Sequence, residues 1–257
     1  MDSKGERLLA AATAPVAAPL PQALRGRWRL SFDPQRLRLR EEAMEILEKA
    51  EVGSFSPSGC LEEYQARPEI FRSFALRQDL HCLVEASPGF LEVYEQLLLT
   101  VLLPWLKELK SATQKRAQFW YQYPPTLRVQ PGRSREFKRP HRDAEYGHQI
   151  GELNCWMPLT DYNLTQTTLW VESEPDRGDY EPLDISYGQI GIFHGTLCRH
   201  HVPQNSSDFT RVSMDFRIGL GEYFDPSWQL DGVKHVHGRA LACLFWGRTP
   251  TGHPTTC

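Results

Sequence analysis

From residue 140 to residue 161 the chain reads PHRDAEYGHQIGELNCWMPLTD, and its opening letters admit two readings. His141-Arg142-Asp143 begins like the catalytic loop of a protein kinase, H-R-D-x-x-x-x-N, whose asparagine holds a second magnesium. Five residues after Asp143 stands His148 instead. No glycine-rich loop precedes the stretch, and the nearest string to D-F-G, Asp215-Phe216-Arg217, lacks the glycine. The kinase reading fails. The other reading is geometric: residues two apart on a strand share a face, so His141 and Asp143 point the same way, as two ligands of one ion would.

The surroundings favour strands. After residue 115 come QFWYQY, TLRVQP, GELNCWMPL, TTLWVES, QIGIFHG and RVSMDFRI, short aromatic and β-branched runs separated by Pro, Gly, Asp and Asn. That spacing predicts a sandwich or barrel. Before residue 115 the pattern is helical. LREEAMEILEKAEV predicts an amphipathic helix over 39–52 with Gly53 as its stop. A second helix is expected over 69–85. A third starts at Ser87-Pro88 and runs to about Lys110 with a break near Pro104. Residues 1–22, rich in Ala and Pro, read as a mobile tail. The expected organisation is one domain over 23–257: mainly helical support (23–115), a β core (116–220) and a C-terminal extension (221–257).

Bulk properties narrow the function. A net charge of −3 over 257 residues argues against a general nucleic-acid or membrane-surface binder. The arginines at 25, 27, 29, 36, 38 and 40 read as the solvated side of extended segments. Six cysteines without CxxC spacing indicate neither a zinc ribbon nor a disulfide framework, and reduced thiols fit a cytoplasmic protein. A plastid leader is the weaker alternative. The apolar segment FLEVYEQLLLTVLLPWL carries Glu92, Glu95 and Pro104 and reads as too short and too charged for a membrane span.

Further along stand His200-His201 and then Arg211-Val212-Ser213. Two imidazoles and one carboxylate on one face of a metal leave the opposite positions open, the facial arrangement of non-haem iron(II) oxygenases. A guanidinium suits the far carboxylate of a keto acid chelating that metal, and Ser213, two residues on, points the same way.

The strings YQYPPTLRVQ, HRDAEYGH, GELNCWMPLT, LWVESEPDRGDYEP and CRHHVPQN…TRVSMDFRI, from about Phe119 to Ile218, resemble the iron(II)/2-oxoglutarate-dependent dioxygenases of the phytanoyl-CoA hydroxylase-like superfamily. Within it they look closest to a subgroup of streptomycin-type antibiotic biosynthesis. The resemblance implies a double-stranded β-helix, or jelly roll, with supporting helices. It implies Fe(II) held by His141, Asp143 and His200, 2-oxoglutarate bound by Arg211 and Ser213, and O2 as co-substrate. It implies succinate and carbon dioxide as co-products. His200 fits the string H-x-V-x-x-N, with His201 as the alternative ligand. The presence of Asp143, where halogenases of this fold carry a small residue, favours hydroxylation or its variants, desaturation and ring closure. Asn154 is a further candidate for 2-oxoglutarate. Arg128, Tyr146, His148, Glu172 and Arg217 are candidates for a small polar, amino-acid-like substrate. The rivals are a catalytically silent jelly-roll binding protein and an oxygenase acting on a peptide. The sequence leaves oligomeric state open.

Overall fold

The computed structural model describes residues 20–109, 116–135, 138–227 and 238–245. The expected tail lies outside them up to residue 19. The strands are β1 Trp28–Ser31, β2 Gly53–Ser54, β3 Gln65–Ala66, β4 Arg116–Gln122, β5 Thr126–Gln130, β6 Lys138–His141 and β7 Glu152–Pro158. They continue as β8 Trp170–Val171, β9 Glu181–Pro182, β10 Gln189–Phe193, β11 His200–Val202, β12 Arg211–Leu220 and β13 Arg239–Phe245. A large sheet runs β1–β10–β7–β12–β4–β13, with β5 also on β12, and a small sheet runs β6–β11–β8–β9. Every pairing is antiparallel. The sheets face each other: Trp156 and Phe193 of the large one pack with Val171, Leu169 and Leu183 from the side of the small one. This is the jelly-roll arrangement that the strand-rich texture predicts. Its two edges come from flanking segments, because β1 lies in the stretch expected to be helical and β13 in the expected C-terminal extension.

The central strand β12 is buried along its whole length. Val212, Met214, Phe216 and Ile218 belong to the main apolar core together with helical residues such as Leu47, Tyr94 and Leu97. The alternate residues Arg211, Ser213, Asp215 and Arg217 therefore take the opposite face, toward the small sheet. β7 repeats the pattern, with Leu153, Cys155 and Met157 in the core. A strand covered on both faces, one by helices and one by a second sheet, can be uniformly buried and still half polar.

The helices differ in detail from expectation. The first spans Leu39–Lys49 and ends where Ala50 turns extended, short of Gly53. Gly53 instead pairs in β2, where a Cβ would lie 2.5 Å from the Gln65 carbonyl oxygen, so the glycine serves a close approach rather than a helix stop. The second divides into a 3-10 turn, Pro68–Phe71, and a helix, Phe74–Glu85, whose Ser73 cap accepts from the Leu76 amide at 3.2 Å. The third starts at Pro88 as expected, but its break is a π turn over Leu98–Leu102, just before the helix Leu103–Leu109. Pro104 has no amide to give the i−4 carbonyl, and a wider turn ahead of it absorbs the mismatch. The whole run, Pro88–Leu109, is long and apolar enough to cross a membrane by length and composition, which corrects the expectation that it is too short. Its Phe90, Tyr94, Leu97 and Leu102 are in the core.

The arginine run is not one solvated edge. Arg40 sits in the first helix and donates to buried Glu62 at 2.9 and 2.6 Å. Arg27 donates to the Val171 carbonyl and to Glu181, tying the N-terminal segment to the small sheet.

Candidate metal centre

Strand register builds the site. His200 in β11 lies directly opposite His141 at the end of β6, and the two ring centroids are 4.6 Å apart. Asp143 is not on a strand. It opens a 3-10 turn, Asp143–Tyr146, with its amide donating to the Gly195 carbonyl at 2.9 Å. The turn keeps the carboxylate beside the histidines: one ligand atom from each of His141, Asp143 and His200 lies within 4.8 Å of the others. His201 is not in this group. It stacks near Trp170 and Tyr180.

Both histidines spend Nδ1 on backbone. His141 Nδ1 is 2.9 Å from the Arg139 carbonyl and His200 Nδ1 is 3.2 Å from that of Cys198. With Nδ1–H donating there, each Nε2 carries a free lone pair, the tautomer a metal ligand needs. Burial, and next the neighbouring His200, push His141 down to about 4, so the ring is neutral at physiological pH. His200 Nε2 stands 3.4 Å from Asp143 Oδ1. Asp143 Oδ2 is taken: Arg217 Nε and Nη2 each reach it at 2.9 Å and Asn154 Nδ2 at 2.6 Å. Burial opposes ionisation of Asp143, but the charge of Arg217 outweighs it and holds the carboxyl well below its usual range. The carboxylate is ionised, with Oδ2 fixed by its donors and Oδ1 left to face His200.

Beside the triad lies a cavity of about 540 Å³ between the sheets and the helix Phe74–Glu85. Arg211 lines it. Only 3% of this residue is exposed, yet its Nε and Nη1 have no partner. Its guanidinium carbon is 5.8 Å from the Trp156 ring centroid. Burial, then the charge of Arg128, lowers its pKa to about 10. Ser213 Oγ and Asn154 Oδ1 are also buried without partners. Buried polar groups are almost always satisfied. Of these three residues, Arg211 and Asn154 line the cavity, and their unpartnered atoms mark it as shaped for a polar ligand.

Of the proposed substrate-side residues, Arg128, Tyr146, His148 and Arg217 line this cavity and Glu172 does not. Glu172 accepts from the Gly178 and Arg199 amides at 2.9 and 2.6 Å, so it anchors a loop. Arg217 is committed to Asp143, to Asp215 at 2.8 Å and to Gln122 at 3.3 Å. Its described hydrogen bonds thus go to carboxylates and to Gln122, while the residue also lines the cavity. Asn154 likewise gives its amide to Asp143. His148 pairs with buried Glu152 at 2.9 Å. Arg128 forms a two-pronged pair with Asp215, and Tyr146 stacks edge-on to His141 and is half exposed. Sequence reasoning missed Asp215, although its alternation with Ser213 and Arg217 is a signal for it. It also missed Arg77 and Phe74, which reach the cavity from the helical portion. Asn205, which opens the N-x-S string Asn205-Ser206-Ser207, is a buried side chain that donates to the Pro131 and Phe209 carbonyls.

No family model matches the chain. A stretch of 103 residues is 35% identical to the streptomycin biosynthesis protein StrG of Streptomyces griseus, covering 40% of this chain and 48% of that protein. The chain thus spans about half the length of the curated relative it matches. Among solved structures, EvdO2 from Micromonospora carbonacea var. aurantiaca complexed with 2-oxoglutarate is similar at 14% identity, over 82% of this chain and 96% of that one, with a TM-score of 0.44. A Pseudomonas putida prolyl-4-hydroxylase is similar at 15% identity, over 85% and 94%, with a TM-score of 0.42.

Proposed function

We propose that the chain is a non-haem iron(II), 2-oxoglutarate-dependent oxygenase acting on a small molecule. The observation that carries this reading is Arg211, a buried guanidinium with unpartnered nitrogens on the cavity that holds a two-histidine, one-carboxylate cluster. A keto dicarboxylate joins the two: one end chelates a metal while the other needs a cation a few ångströms away.

His141 and His200 would hold iron(II) through Nε2 and Asp143 through Oδ1, a donor set that suits this ion and leaves positions open. Iron(II) with 2-oxoglutarate supplies oxygen activation, coupled to decarboxylation of the keto acid to succinate and carbon dioxide. Arg217 and Asn154 keep Asp143 on one oxygen, so the carboxylate does not close over a second coordination position. Arg211 and Ser213 would bind the far carboxylate, whose charge then satisfies the buried guanidinium. Trp156, Phe193 and Leu169 keep water from that end of the cavity. Tyr146, half exposed beside His141, stands where a substrate enters.

The test is turnover. Iron-loaded protein should convert 2-oxoglutarate to succinate in the presence of oxygen, even without substrate, and Asp143→Ala should abolish it. Iron-loaded, folded wild type that binds the keto acid but forms no succinate under any substrate tried would favour the silent binding protein.

A further inference from the structure

Arg77 has no part in holding the triad, yet it lines the same cavity. It comes from the helix Phe74–Glu85, where Phe74, Arg77 and His81 recur at helical spacing and all reach the cavity. Its Nη1 donates to the Ile70 and Phe71 carbonyls at 3.2 and 2.7 Å. Among the described residues no carboxylate pairs with it. The charged group acting on it is Arg128, which, after burial, lowers its pKa. Two guanidinium groups thus share one wall, and only Arg128 has an acid, Asp215.

The charge balance of the whole cavity points the same way. Arg77, Arg128, Arg211 and Arg217 face Asp143 and Asp215. A divalent metal and dianionic 2-oxoglutarate cancel each other, so the loaded cavity keeps two net positive charges. Next to Arg77 the wall is apolar, formed by Phe71, Leu80, Leu127 and Phe74, which is 56% exposed.

We infer that the substrate is an amphiphilic anion, with a carboxylate or phosphate monoester seated between Arg77 and Arg128 and an apolar body against Phe71 and Phe74. This rests on the oxygenase reading and gives its substrate class. A polycationic compound is disfavoured, because it would meet two uncompensated positive charges with no acid to receive it. An amino-acid-like substrate fits only through its carboxylate.

Calorimetric titration of oxygen-free, iron(II)-loaded protein, with and without saturating 2-oxoglutarate, tests this. The probes are 3-phenylpropionate and phenyl phosphate, with phenethylamine and 3-phenylpropan-1-ol as cationic and neutral counterparts. With 2-oxoglutarate present, one or both anions should bind saturably, and their relative affinity tells carboxylate from phosphate. Arg77→Gln should weaken the better anion about tenfold or more. Arg77→Lys should restore most of that, and 2-oxoglutarate affinity should be the same in all three proteins. Alcohol or amine binding as tight as the anions, anion binding indifferent to Arg77→Gln, or no saturable anion binding would each overturn the inference. Anion binding that depends on Arg77 in a protein that takes up no 2-oxoglutarate would instead sink the oxygenase reading and leave the anion site standing.

Discussion

Arg211→Met should raise the concentration of 2-oxoglutarate needed for half-saturation by roughly two to three orders of magnitude while making the ligand-free protein no less stable. The first half follows from the loss of a two-pronged, charge-assisted contact, about 3–4 kcal/mol when both bonds go. The second half follows from the state of Arg211 without ligand. It is buried with Nε and Nη1 unsatisfied, and burial has already lowered its pKa to about 10. Methionine replaces the stem of the side chain and has no polar atoms to strand, so the substitution removes a desolvation cost of about 1–3 kcal/mol, and the space it leaves at the tip adjoins the cavity. Thermal melting without ligand and keto-acid titration of the same preparation measure both halves. A structural arginine would behave oppositely, with stability falling and affinity unchanged. Trading stability for a ligand-ready group is common at binding sites.

Arg217→Met should do what Arg211→Met does not. Arg217 holds Asp143 Oδ2 and Asp215 Oδ1 within a buried ladder that continues to Arg128. Removing it leaves buried carboxylates short of their counter-charge, a change worth about 3–5 kcal/mol of stability. Metal affinity should also fall, by about 10–100-fold, because Asp143 keeps only Asn154 to hold Oδ2 and leave Oδ1 for the metal. Arg217→Lys keeps the charge but cannot make the same fork, and should lie between. Denaturant melts without metal, followed by metal titration of the variant that stays folded, separate the two effects. Unchanged metal affinity in a folded Arg217→Lys protein would show that the ladder is structural only.

The β face of the site is readable from the letters, and the helical wall is not. Arg211, Ser213, Asp215 and Arg217 alternate with Val, Met and Phe, and a period of two places them on one face whatever the fold around them. His141 and Asp143 sit close for a different reason than strand alternation, since Asp143 begins a 3-10 turn; the spacing survives the change of backbone. Arg77 and Phe74 were hidden because an amphipathic helix declares which residues it buries without declaring what lies opposite. Glu172 misled because a carboxylate that caps loop amides and one that meets a substrate look alike in sequence. β13 escaped notice, and β1 was legible only as an extended segment and not as a sheet edge, because edge strands take their register from neighbours distant in the chain.

The most direct test of the account is an oxygen-free titration of iron(II)-loaded protein with 2-oxoglutarate, followed by visible absorption. The account predicts a weak charge-transfer band that saturates at one equivalent of each, is lost in His200→Ala and survives in His201→Ala. Folded protein that binds iron(II) yet shows no band at saturating 2-oxoglutarate, or a band that depends on His201 and not His200, would contradict it.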